Sequence, residues 1–174
     1  METITKSKQK THINDLLKSL VSDFGMERKK ARAELVRMGR GVLDYLTEYA
    51  DHPKHIFRWE ALKVMEEIAD PTSIPFFIDA LEDEESDIRW IAAEGLINIG
   101  RESIVPLLET IIKKTDSIFV LEGTHHVFHD LKKTEILPKD FPVDKLLSTL
   151  KRTDSDEAIK LSAYQILDIL NNIN

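Results

Sequence analysis

From Ile13 onward, apolar residues return every three or four positions, the spacing that places them on one face of an α-helix. The first run, Ile13, Leu16, Leu17, Leu20, Val21 and Phe24, stops at Gly25. A longer period lies over the short one. Shifted by 31 residues, Arg58-Trp59 falls on Arg89-Trp90, Ala61 on Ala92, Ile68 on Ile99, Pro75 on Pro106, Phe77 on Leu108 and Leu81 on Ile112. A fixed period of this size marks a stacked array of helical units, each able to bury its apolar face only against its neighbours.

Four units follow from the pattern. In the first, Arg28, Ala31, Leu35, Met38 and Gly39 match Arg89, Ala92, Leu96, Ile99 and Gly100; Leu43, Leu46, Tyr49 and Ala50 make its second helix. The second unit runs from Ile56 to Ala69, turns at Asp70–Ser73, and places Ile74, Phe77 and Leu81 inward. Ser73 is placed to cap that second helix, with Pro75 in its first turn, where a missing N–H costs nothing. In the third, Ser86 or Asp87 is placed to cap a helix with core stripe Ile88, Ala92, Leu96 and Ile99. Ser103 caps the next, which turns Val105, Leu108 and Ile112 inward. The fourth follows at a shift of 32 through Val120, Thr124, Phe128 and Leu131, then swells into a loop, Lys132 to Pro142. Val143 to Lys151 completes it. A last helix, capped within Thr153–Asp156, carries the stripe Ile159, Ala163, Ile166, Leu167 and Leu170 to seal the far end. The reading is one domain over residues 13–174, preceded by a flexible tail over residues 1–12 that lacks periodicity.

Composition narrows the chemistry. The absence of cysteine removes disulfides, thiolate metal sites and cysteine nucleophiles. No apolar run is long enough to span a bilayer, and the start of the chain is polar and Lys-rich, so a cytoplasmic location without membrane attachment is the expectation. A net charge of −7, with Lys and Arg dispersed apart from Arg28-Lys29-Lys30, disfavours nucleic acid as a partner.

The run Asp87-Ile88-Arg89-Trp90-Ile91-Ala92-Ala93-Glu94-Gly95-Leu96-Ile97-Asn98-Ile99-Gly100, followed by Ile104-Val105-Pro106-Leu107-Leu108, resembles HEAT-type repeats, specifically the shorter variety named after the phycobilisome lyases. The resemblance covers roughly Glu27 to Leu170. It implies an all-α, right-handed α-solenoid of about four antiparallel helix pairs with flanking cap helices, the second helices lining a concave face. It also implies that Arg58 and Arg89 tie neighbouring units together. Of the enzymes in such families, deoxyhypusine hydroxylase holds iron through His-Glu motifs at the start of first helices. The corresponding positions here read Trp59-Glu60 and Trp90-Ile91, so that activity does not carry over.

Two clusters invite chemistry. His125 and His129 stand one helical turn apart with Glu122 on the same face three residues before His125, a set on one stripe able to chelate Zn²⁺. The blander reading makes them surface polar residues, with Asp130 orienting a histidine. Trp59 and Trp90 lie off the core stripe at equivalent positions, as partner-binding residues or as packing between units, each ring over a neighbour's arginine stem. The second helices offer Thr47, Glu48, Asp79, Glu82, Glu109 and Lys113 to solvent, a mildly acidic surface suited to a basic or amphipathic segment. No nucleophile elbow or glycine-rich phosphate loop is present; Gly39-Arg40-Gly41 reads as a helix–helix turn.

The sequence thus points to a non-enzymatic, cofactor-free scaffold mediating protein–protein interaction. Its candidate partner-binding residues are Trp59, Trp90, Asp79, Glu82, Glu109 and Lys113, together with the Lys132–Pro142 loop. The alternatives are a metal- or cofactor-binding protein using Glu122, His125 and His129, and a regulatory, lyase-like subunit of an enzyme.

Overall fold

The computed structural model describes residues 2–137, 141–151 and 155–173, and among these every regular element is helical. Helix α1 (Glu2–Leu20) precedes four pairs: α2 (Gly25–Met38) with α3 (Leu43–Ala50), α4 (His55–Ile68) with α5 (Ile74–Ala80), α6 (Ser86–Ile99) with α7 (Ile104–Lys113), and α8 (Ile118–Lys133) with α9 (Val143–Leu150). Helix α10 (Asp156–Ile173) follows. The first helices form one layer, α2 on α4, α4 on α6 and α6 on α8, and each also packs on the second helix of the unit before it. This is an all-α helical repeat solenoid.

The helix expected from Ile13 begins at Glu2, so the segment read as a non-periodic tail forms its first turns. Residues 7–12 are polar and exposed, which hides them from a hydrophobic pattern. Ile13, Leu17 and Leu20 are buried, against α2, with His12 bonded to Glu34 at 2.8 Å.

A continuous core runs the length of the stack, from Ile13 and Leu35 through Met65, Phe77 and Leu96 to Leu131 and Ile166. The stripe of α7 differs from the expected one: Ile104, Leu107, Leu108 and Ile111 are buried, whereas Val105 is 42% exposed. The cause is the turn between paired helices, which is one residue shorter between α6 and α7 than between α4 and α5. The serine caps are also absent. Short 3-10 turns at Pro71–Ser73 and Gly100–Ser103 run directly into α5 and α7, so their own carbonyls already receive the first N–H groups. Ser103 instead donates to the Gly100 carbonyl at 2.6 Å, and Asp70, not Ser73, accepts from the Thr72 N–H. On α6 neither Ser86 nor Asp87 is the capping residue; that place is held by Glu85.

The turn after each of the first three first helices requires a left-handed backbone, supplied by Gly39 (φ 65°), Ala69 (φ 52°) and Gly100 (φ 80°). Gly95 answers a different need. A β-carbon there would stand 2.4 Å from the ring of Phe77, which is fully buried between α5 and α6. Glycine is what lets α6 ride over a phenylalanine.

An arginine is the fourth residue of α2, α4 and α6. Each guanidinium donates to the carbonyl six residues before it: Arg28 to Ser22 at 2.8 Å, Arg58 to His52 at 3.0 Å, Arg89 to Asp83 at 2.7 Å. Each also reaches the following unit. Arg28 bonds Glu60, Arg58 bonds both carboxylate oxygens of Asp83 at 2.6 and 2.9 Å, and Arg89 lies 4.1 Å above the ring of Phe119. The fork geometry of arginine serves two loops at once.

Two outcomes follow. Gly95→Ala overpacks the α5–α6 junction and lowers stability by about 1–3 kcal/mol; adding Phe77→Leu recovers part of that loss, as read from urea-unfolding midpoints of the four-member cycle. Arg58→Ala strands the buried Asp83 carboxylate and the loop carbonyls, and costs about 3 kcal/mol by the same measurement.

Candidate partner-binding surfaces

The expected partner-binding residues divide between the two helix layers. Trp59 and Trp90 are each the fifth residue of a first helix, α4 and α6. Asp79, Glu109 and Lys113 stand on second helices or at their ends, and Glu82 follows α5. They therefore belong to two surfaces.

On the second-helix layer, Glu48, Asp79 and Glu109 are each the sixth residue of their helix, in α3, α5 and α7. All three are exposed. The one-residue shortening of the third turn brings Glu109, rather than the residue 31 after Asp79, into this row. Lys113 is exposed at the end of α7, and Phe76, Ile78 and Ile112 lie half-buried on the same helices. Glu82 is engaged within the fold: its carboxylate pairs with Lys114, and hydrogen bonds from Lys114 and Ser117 hold it below the usual carboxylate range. It ties α5 to the end of α7.

On the first-helix layer the two tryptophans part company. Trp59 is half-buried against the core, with the Arg32 guanidinium 5.2 Å from its ring centre, as expected for a ring lying beside a neighbour's arginine. The residue at Arg32's place in α4 is Leu62, which is fully buried and covers nothing outside. Trp90 is consequently 58% exposed. A ring of the following unit lies against it: His126, at 4.7 Å between centroids, held there by Glu94 at 3.0 Å. Trp90, Arg89, Phe119, Glu122 and His126 line a groove of about 300 Å³ between α6 and α8. Sequence reasoning did not single out Phe119; the signal was an aromatic residue where the third unit has the polar Asp87.

The histidine cluster is split. Glu122 and His126, four residues apart, face the groove with α6, while His129 faces α9 beside Lys132, Lys133 and Lys151. His125 and His129 stack with ring centroids 6.1 Å apart, and Asp130 bonds His129 at 3.2 Å. Among the described residues no group of three or more His, Asp or Glu side chains is placed to hold a metal ion. Glu122 and His129 share a helix face but stand two turns, about 10 Å of rise, apart, and they open into different grooves.

The Lys132–Pro142 loop is folded onto the stack where it is described; its residues 138–140, like 152–154 of the expected cap of α10, lie outside the described residues. Ile136 packs beside Gly100, its carbonyl accepts from Arg101 at 3.4 Å, and Phe141 stacks on Phe128 at 5.9 Å.

The buried Nε2 of His125 has no hydrogen-bond partner among the described residues. Burial, then the charges of Lys151, His129 and His126, push its pKa below the ordinary histidine value. The unfolded chain therefore takes up this proton first, and stability present above about pH 6.5 is lost as pH falls toward the folded value. His125→Leu removes that part of the loss. Urea unfolding between neutral pH and mildly acidic pH tests it; an unchanged pH dependence in the variant refutes the assignment.

Comparison with known proteins agrees with the helical architecture. The family model for HEAT repeats matches twice, over residues 13–96 and 43–123, and so spans more than half the chain. The match is to HEAT repeats as such and does not single out the phycobilisome-lyase variety. No curated protein matches the sequence. The chain, with its helix pairs stacked in one continuous core, belongs to the HEAT-repeat family.

Proposed function

We propose that this protein is a non-catalytic scaffold that binds a basic or amphipathic segment of another protein along the row Glu48, Asp79 and Glu109. HEAT repeats are typical of protein-interaction scaffolds. The observation that carries the reading is the row itself: three exposed carboxylates at the same place on successive second helices, none in an ion pair among the described residues. Helices α5 and α7 pack on one another, and packed helices lie about 8–10 Å apart, so Asp79 and Glu109 offer charges at a spacing that a partner's cations can match. Phe76, Ile78 and Ile112 supply apolar area beside it, and Lys113 sets a positive limit at one end. Among the described residues no helix is long and apolar enough to cross a membrane.

The test is calorimetric titration with a synthetic Lys/Arg-rich amphipathic helix. The wild-type chain binds it with an affinity that falls as salt rises. The triple reversal Glu48→Lys, Asp79→Lys, Glu109→Lys weakens binding by at least about tenfold. Glu82→Gln, which breaks the link to Lys114, lowers stability and leaves binding unchanged. Equal affinity for the wild type and the triple variant defeats the proposal.

A further inference from the structure

Repeat proteins carry their own controls, because a position that departs from its equivalents stands out against them. At the fifth position of the first helices the chain has Lys29, Trp59, Trp90 and Glu122. Trp59 is sheltered by Arg32, and Trp90 is left uncovered because buried Leu62 takes the place of that arginine. The next helix adds to the exposed apolar surface. α8 opens with Ile118 and Phe119, 62% and 40% exposed, where α6 opens with Ser86 and Asp87. The exposed tryptophan and the exposed phenylalanine line one groove, and exposed aromatic surface is the usual mark of an interaction site.

The charges of the groove say what fits it. Arg89 is spent: it donates to the carbonyls of Asp83 and Glu84 and covers Phe119. His126 is spent on Glu94. Glu122 is exposed and makes no ion pair among the described residues, so the groove's unmatched charge is negative. We infer that the groove between α6 and α8 is a docking site for a peptide segment of another protein that sets a large apolar side chain between Trp90 and Phe119 and an adjacent Lys or Arg on Glu122. The site lies on the first-helix layer, apart from the acidic row, and does not depend on that row's function.

Selection of random peptides displayed on phage against the full chain tests this. Enriched peptides share an apolar residue next to Lys or Arg. Trp90→Ala, which keeps the wild-type unfolding midpoint because the ring is exposed, weakens them by at least about tenfold. Glu122→Gln weakens them about threefold, and that difference disappears at high salt. The Glu48, Asp79 and Glu109 reversals leave the same peptides bound as before. The inference is overturned if nothing enriches, or if the enriched peptides bind Trp90→Ala as well as the wild type. It is also overturned if they are lost with the acidic-row reversals. Self-association in sedimentation that Trp90→Ala abolishes assigns the groove to a second copy of the chain and overturns the peptide as its occupant.

Discussion

Arg58 stands where two loops and two units meet. Its Nη1 holds the carbonyls of His52 and Pro53, which enter its own helix, while Nε and Nη2 hold the carboxylate of Asp83, which leads into the next. The guanidinium is nearly buried, and Asp83 lifts its already high pKa, so the charge is permanent. A helix pair cannot bury its apolar face alone, and hydrophobic contact by itself would let neighbouring pairs slide. The arginine fixes the slide. Because Arg28 and Arg89 reach back to a carbonyl at the same offset, the stack inherits one register from a single side-chain type.

The pattern changes where that arginine is missing. The fourth residue of α8 is Leu121, and the unit it begins is also the one that departs from the template. There the long connection folds back, seating Ile136 beside Gly100 and Phe141 against Phe128. Helix α10 then packs on α7 as well as on α9, a place that regular stacking would reserve for the second helix of the fourth unit. Apolar burial by the loop and by α10 takes over what the arginine does elsewhere. The terminal unit is held by packing more than by directed hydrogen bonds.

Much of this was legible in the residues. The 31-residue match set the paired helices and their order, and Gly39 and Gly100 marked turns that do adopt the left-handed backbone. Residues that pack against a neighbouring unit were less visible. Gly95 looks like a weak helix residue until Phe77 is seen beneath it. Val105 looked inward because a one-residue change in turn length rotates a helix, and period matching alone does not register so small a shift. The histidine cluster is divided for a related reason: helical spacing says which residues are close on one helix, but not which neighbouring helix each will face. The two tryptophans seemed alike for want of knowing what lay over each, and that depended on Arg32 and Leu62, some 27 to 28 residues earlier.

The contrast between those tryptophans has a spectroscopic consequence. A half-buried indole beneath a guanidinium and an exposed indole against an imidazole emit from different surroundings, one in the second unit and one in the third. Stacked repeats are close to one-dimensional, so neighbouring units need not lose their structure together. The chain thus carries an optical label in each of its two most regular units. Comparing their emission during unfolding shows whether cooperativity extends across the α4–α6 junction or ends there.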